Sequence, residues 1–179
     1  MRNRADRRAR TGRQRSTPTR AALTHQTKAN LIRPATTSDT AALAAIEHAS
    51  FAGDRVSRRS WRRLLGSASA LTLLDEQDGA LRGYIMLLFR AGLSVARVYT
   101  IATHPDFLGR GVAAGLLLRA EQAALERDCD RLRLEIRHDN QASLCLFQHR
   151  GYRIFDQYAD YYEDGMDAHR LEKPLTRNR

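Results

Sequence analysis

The run Arg131-Leu132-Arg133-Leu134-Glu135-Ile136-Arg137 alternates charged and aliphatic side chains without a break. A period of two fits a strand with one buried face and one face open to water or a cleft. The flanking sequence follows a helical period. Val112, Leu116, Leu117, Ala120, Ala124 and Leu125 trace one face of a helix predicted over residues 111–127, and a second helix is predicted over 140–150 with Gly151 as its stop. Upstream, Leu31-Ile32-Arg33-Pro34 reads as a short strand. Ser38 or Asp39 can cap a helix running through Ala49 with Leu43 and Ile46 inward. Ser57 opens a helix over 58–65 that carries Trp61, Leu64 and Leu65 inward and stops at Gly66. Strands are predicted at 71–74 and 81–89, joined through Asp78-Gly79, and at 93–103 after Gly92, which makes an antiparallel meander. Two closing strands, 152–158 and 168–175, flank the loop Tyr161-Tyr162-Glu163-Asp164-Gly165.

The chain has 179 residues, 42% of them hydrophobic, enough for one α/β domain with a real core. Its formal charge of +10 is unevenly placed. Residues 1–28 hold eight Arg, Lys28 and a single acid, Asp6, whereas residues 29–176 balance at 19 basic against 19 acidic side chains. A basic nucleic-acid groove is therefore not expected in the folded part, and any such affinity would reside in a tail. Residues 1–28 lack apolar periodicity and are expected to be a disordered Arg-rich tail, with the domain at 29–175 and a basic C-terminal tail at 176–179. No apolar stretch follows the arginines, which disfavours secretion; an acid-poor start also fits a mitochondrial presequence, or a start codon placed too early. No segment approaches the roughly 20 apolar residues of a membrane span. Cys129 and Cys145 show neither a disulfide framework nor metal-ligand spacing, so a cytoplasmic protein without zinc is expected.

The chemistry concentrates in Ile101-Ala102-Thr103-His104-Pro105-Asp106-Phe107-Leu108-Gly109-Arg110-Gly111-Val112-Ala113-Ala114-Gly115, which passes from a strand through a glycine turn into the long helix. Amides at a helix N-terminus lack intrahelical acceptors and sit at the positive end of the macrodipole, so a phosphate is the expected guest. The plainer alternative is that Gly109 and Gly111 merely permit a tight connection. The segment is not a Walker loop, because no Gly-Lys-Ser/Thr closes it, and it lacks the third glycine of a dinucleotide fingerprint.

This segment resembles the GNAT superfamily of acetyl-CoA-dependent N-acetyltransferases, whose motif Arg/Gln-x-x-Gly-x-Gly/Ala is matched by Leu108-Gly109-Arg110-Gly111-Val112-Ala113 with Leu108 in place of the usual Arg or Gln. The resemblance covers about residues 30–175. It implies an α/β (α+β) GNAT fold, a mixed and mostly antiparallel sheet of about six to seven strands flanked by about four helices. It further implies that acetyl-CoA is held by the backbone of Gly109, Arg110, Gly111, Val112, Ala113 and Ala114, by the strand edge Ile101-Ala102-Thr103, and by Asn140 and Phe147, with no metal. Leu134-Glu135-Ile136-Arg137, the helix from Asn140 to Gly151-Tyr152, and Tyr161-Tyr162-Glu163-Asp164-Gly165-Met166-Asp167-Ala168 are similar to the protein N-terminal acetyltransferases, including the ribosomal-protein-alanine type.

That similarity implies Glu135 as general base, acting directly or through water on an α-amine whose pKa near 7.7–8.0 is far easier to reach than a lysine's at about 10.4. Arg133 and Arg137 share the face of Glu135; close approach would depress its pKa, burial would raise it, and a solvated ion-pair face is the ordinary reading of such a pattern. Relatives carry a tyrosine acid where this chain has Phe147, leaving Tyr99, Tyr152 or Tyr161 as chemical substitutes. By the period of two, Tyr99 is expected to share a face with Arg97 and Ile101. Tyr161 and Tyr162 match residues lining a peptide groove, and Phe51-Ala52-Gly53-Asp54-Arg55 would form the opposite wall. The resulting expectation is direct acetyl transfer to a protein N-terminus by a monomer or homodimer, with non-specific RNA or ribosome contact through the tail. The alternatives are a polyamine- or aminoglycoside-type small-molecule acetyltransferase and a non-catalytic acyl-CoA-binding regulatory module.

Overall fold

Seven strands form one sheet in the order β1-β2-β3-β4-β5-β7-β6. The structure, a computed structural model, describes residues 31–177 except 52 and 54; the tail expected at 1–28 lies outside the described residues. The strands are β1 (Leu31–Pro34), β2 (Ala70–Gln77), β3 (Ala80–Leu88), β4 (Val95–Thr103), β5 (Arg131–Arg137), β6 (Arg153–Tyr158) and β7 (Ala168–Pro174). The helices are α1 (Thr40–Ser50), α2 (Arg58–Leu65), α3 (Val112–Glu126) and α4 (Gln141–His149). Every neighbouring pair is antiparallel except β4 and β5. Among the described residues no helix is long and apolar enough to cross a membrane.

Local chemistry sets the element ends. Asp78 and Gly79, at φ 52° and 80°, make the two-residue turn between β2 and β3, a connection whose twist suits paired strands. Strand β2 extends beyond the expected 71–74 because Asp75, a charged residue that ends the apolar run, is buried against Arg82 on β3 at 2.6 Å. Helix α1 is preceded by a 3-10 turn over Thr37–Asp39 in which the Asp39 carboxylate accepts from the Thr36 amide at 2.7 Å. The capping box at Thr36 belongs to this turn, and Asp39, one of the two expected caps, is the N-cap of α1. Arg33 bridges Asp39 and Glu76, each at 2.8 Å, and its hydrogen bonds hold the Asp39 carboxyl down at about 2. Ser57 caps α2 by accepting from the Ser60 amide.

Alternation along β2 and β3 sends Leu73, Ile85 and Leu87 to one face with Leu116, Leu117 and Ala120 of α3, and Leu74, Tyr84 and Met86 to the other with Leu43, Ile46 and Trp61. Helices α1 and α2 thus cover one side of the sheet. Helix α3 covers the opposite side, together with Phe147 of α4. Strand β5 has the burial pattern its sequence predicts, with Leu132, Leu134 and Ile136 buried and the charged residues between them only half-buried. Beyond β7, Arg177 bonds the Leu125 carbonyl and Asp128.

Candidate active site

Strands β4 and β5 pair only through Val95–Arg97 against Arg131–Arg133. Past Arg97 they separate. A β-bulge opposite Met86 and Leu87 leaves Tyr99 without a cross-strand partner and increases the local bend. The extra residue also switches sides: Val98 packs on the α3 face, and beyond the bulge Ile101 takes that face while Ala102 turns to the α1–α2 side. Arg97, next to Val98 and paired with the outer face of β5, is therefore not on the face of Ile101. The period-two expectation for Arg97, Tyr99 and Ile101 fails because the bulge breaks the period.

The gap opens a cavity of about 710 Å³. Glu135, Tyr99, Ile101, Asn140, Phe147, Tyr161 and Tyr162 line it, as do Arg97 and Thr100; Phe51 and Gly53 contribute from the loop after α1. Ala102, Thr103 and residues 109–114 do not line this cavity; they continue from the end of β4 into α3. Gly109 and Gly111 adopt φ 71° and 76°, and a Cβ at either would meet none of the described residues within 4 Å. Among the described residues no side chain caps the helix. Its first intrahelical bond runs from the Gly115 amide to the Gly111 carbonyl at 2.9 Å, so the amides of Val112, Ala113 and Ala114 have no helical acceptor. Arg110 lies over the Phe107 ring at 5.4 Å, and Leu108 is exposed. Donors without a helical acceptor at a helix N-terminus are what an anionic diphosphate requires.

Glu135 is only 10% exposed, and its partners are not the arginines beside it in sequence. Arg133 pairs with Glu172 at 2.9 Å, and Arg137 with Asp164 at 2.8 Å and Asp139 at 3.2 Å. Arg97 on β4 instead donates to Glu135 Oε2 at 2.7 Å, and Arg170 on β7 stands 3.8 Å from Oε1. Arg97 also donates to the Tyr161 hydroxyl at 2.7 Å, so one guanidinium joins the carboxylate to the tyrosine loop. Tyr161 stacks on Tyr158 and meets Tyr162 edge-on, and the amides of Tyr161 and Tyr162 both donate to the Met166 carbonyl. The Asp-Gly-x-Asp-Ala sequence builds this loop: Asp164 holds Arg137, Gly165 supplies φ 79°, and Asp167 accepts from the Asp160 amide.

Phe147 is buried and meets Tyr152 edge-on at 5.2 Å. Tyr152 is not a substitute acid. Its hydroxyl points away to Glu121 at 3.1 Å, beside Lys173, and burial with the Glu121 charge pushes its ionisation far up. We expect Tyr152→Phe to leave turnover within about twofold while costing about 1 kcal/mol of stability in a denaturant melt; a tenfold loss of turnover would contradict that placement. Asn140 spends its carbonyl on the Ser143 amide at 3.0 Å, capping α4 and leaving its NH2 for another acceptor. Tyr99 remains exposed on the cavity wall.

Sequence reasoning missed Arg97 and Arg170 as partners of Glu135, since they come from strands 38 and 35 positions away. It also missed Glu47. That carboxylate is 1% exposed, accepts from the Val56 amide at 3.0 Å and from the Tyr84 hydroxyl, and burial raises its pKa. Tyr84 in turn lies 3.1 Å from Thr100 Oγ1 on the cavity wall. A signal was present: Glu47 is four residues after Leu43 and so falls on the apolar stripe of α1.

A sheet splayed between its parallel strands, with an open helix N-terminus beside the gap, is the arrangement of an acyltransferase fold, and residues 40–152 match the acetyltransferase (GNAT) family model. The chain belongs to the GNAT family. An acetyltransferase of Yersinia enterocolitica is 33% identical over 94 residues, which are 52% of this chain and 65% of that protein. The match thus spans less than two thirds of the relative's length. Among solved structures, the ribosomal-protein-S18-alanine N-acetyltransferase from Escherichia coli superposes with a TM-score of 0.75 at 23% identity, over 84% of this chain and 97% of that one. Ard1 from Thermoplasma volcanium gives 0.76 at 20% identity, over 84% and 100%. The fold is shared with both.

Proposed function

We propose that this protein is an acetyl-CoA-dependent N-acetyltransferase whose acceptor is the N-terminal α-amine of a protein. The observation that carries the reading is the linkage of Glu135 through Arg97 to Tyr161, on the wall of a cleft that the splayed strands open. Family membership supplies the reaction class, and acetyl-CoA brings the thioester that is attacked. The amides of Val112, Ala113 and Ala114, with Gly109, Arg110 and Gly111 allowing close approach, would hold the diphosphate. Beyond Arg97 the β5-side edge of β4 has no strand partner among the described residues, so the main chain of Ile101, Ala102 and Thr103 would be free to pair with the amides of an extended arm. Asn140 and Phe147 close the α4 side.

The acceptor then approaches from the α1–α2 side, between Tyr161-Tyr162 and the loop at Phe51 and Gly53. Tyr161 and Tyr162 offer aromatic cover with a polar tip, suited to a first peptide unit. Arg97 fixes one oxygen of Glu135 and leaves Oε1 to receive an amine proton. The amine attacks the thioester carbonyl directly, giving a tetrahedral intermediate and no acetyl-enzyme. Tyr99 and Tyr161, both on the wall, are the phenols placed to protonate the departing thiolate in place of the missing tyrosine at 147.

The test is incubation with acetyl-CoA and peptides differing at their first residue, with the added acetyl group located by mass spectrometry. A single acetyl on the α-amine is the expected product. Modification confined to lysine side chains, or turnover of polyamines and of no peptide, would overturn the acceptor assignment.

A further inference from the structure

Acetylation of an ammonium requires two protons to leave nitrogen, because R-NH3+ becomes an amide carrying one hydrogen. One of them ends on the CoA thiol and the other must reach bulk water. Glu135 can receive one; its second oxygen is already bonded to Arg97.

We propose that Thr100, Tyr84 and Glu47 form a proton relay that takes the first proton of the acceptor ammonium out of the cleft. Tyr84 has a single hydroxyl hydrogen, and it is donated to Glu47. The hydrogen shared between Tyr84 and Thr100, 3.1 Å apart, must therefore come from Thr100. This fixes the polarity of the whole chain. Thr100 Oγ1 is left with acceptor capacity on the wall of the cleft, and each hydroxyl already points its hydrogen towards Glu47.

Transfer follows in three balanced moves. The ammonium N–H bond breaks as Thr100 Oγ1 gains that proton; the Thr100 hydroxyl proton passes to Tyr84 Oη; the Tyr84 phenol proton passes to the Glu47 carboxylate. The amine is left neutral and Glu47 becomes a carboxylic acid. No oxidant or other reactant is needed. Glu47 also lines a second recess with Ala44, His48, Arg55, Val56 and Arg58, formed by the end of α1 and the start of α2, and that recess gives the proton a way to water.

Burial makes Glu47 a stronger proton acceptor than an exposed carboxylate. The carboxylate is buried, and desolvation raises its pKa, opposed by the hydrogen bonds from Tyr84 and Val56 and by the charge of Arg55. His48 and Arg58 stand at the recess. A carboxylate needed only to anchor Val56 would not require a phenol and a threonine leading to the cleft. Glu135 then receives the second proton, after attack. Tyr84 and Glu47 act through Thr100 and are positioning residues.

The inference rests on the N-acetyltransferase reading, and the test separates the two. On the full chain, kcat, KM and the pH profile of kcat/KM are measured for wild type, Glu47→Gln, Tyr84→Phe, Thr100→Val and Thr100→Ser, with acetyl-CoA binding followed by calorimetry. For Tyr84→Phe and Thr100→Val we expect kcat to fall about tenfold or more, with acetyl-CoA affinity unchanged. Thr100→Ser, which restores the hydroxyl, should recover most of the rate. The acid limb of the profile should move up towards the amine's own value of about 7.7–8.0 in Glu47→Gln and Tyr84→Phe, because the amine must then arrive neutral. A merely structural role would lower the rate without moving that limb. Wild-type rate and profile in Tyr84→Phe and Thr100→Val would overturn the relay and leave the enzyme reading standing. Acetyl-CoA binding with no turnover of any amine by wild type would overturn both.

Discussion

Glu135→Gln is expected to lower kcat by roughly 10² to 10³, within the range for loss of a positioned general base, while acetyl-CoA affinity stays within about twofold. Glutamine keeps the side-chain length and one acceptor oxygen for Arg97, so the link to Tyr161 survives. What is lost is the capacity to take a proton at Oε1. The expectation is checked by steady-state kinetics with the best peptide acceptor and by calorimetry with coenzyme A. A rate within threefold of wild type would remove Glu135 from proton transfer and leave it as one member of the ion pair with Arg97 and Arg170.

The largest structural effect is expected at Gly83. A Cβ there would lie 2.7 Å from the Ala102 carbonyl oxygen, 2.7 Å from Val112 Cγ1 and 3.2 Å from Leu116 Cδ1. The carbonyl belongs to β4, paired with β3 at this register, and Val112 is the first residue of α3, so neither side can yield cheaply. Overpacking of this kind costs about 1–3 kcal/mol, and Gly83→Ala should lower the thermal midpoint by roughly 2–12 °C. Because the displaced residue begins α3, acetyl-CoA affinity should fall with it. Gly115→Ala is the contrast. Its Cβ would meet only Ile32 Cδ1, at 3.8 Å, and alanine inside a helix gains about 0.5–1 kcal/mol over glycine. Equal midpoints for the two variants would contradict the close approach of β3, β4 and α3.

Both effects bear on what the sequence could reveal. The alternation of residues 131–137 placed Glu135 on the open face of its strand, and the structure agrees at each position. The glycines at 109 and 111 marked a tight turn into a helix, and in the structure both have positive φ with no described atom within 4 Å of a Cβ. Gly83 gave no such signal, since its φ is not positive and its necessity comes from a strand and a helix that meet it from elsewhere. The partners of Glu135 were hidden for a similar reason. Arg133 and Arg137, two residues away on the same face, looked like its ion pairs, but Glu172 on β7 and Asp164 in the tyrosine loop take them. Arg97 reaches Glu135 because β4 and β5 are still paired at that level and separate just beyond.

The amino-acid order by itself determined what is local: periods of two and 3.6, the cap at Ser57, the Asp78-Gly79 turn, and the motif that led to the GNAT family. Those properties depend on dihedral preferences and on hydrogen bonds within a few residues. Tertiary structure alone decided the bulge at Tyr99 that opens the cleft, the guanidinium that joins Glu135 to Tyr161, and the line from Thr100 through Tyr84 to Glu47. Each of these brings together groups from strands and helices far apart in the chain, and a buried charge or hydroxyl settles on whichever partner the packed sheet places within about 3 Å of it.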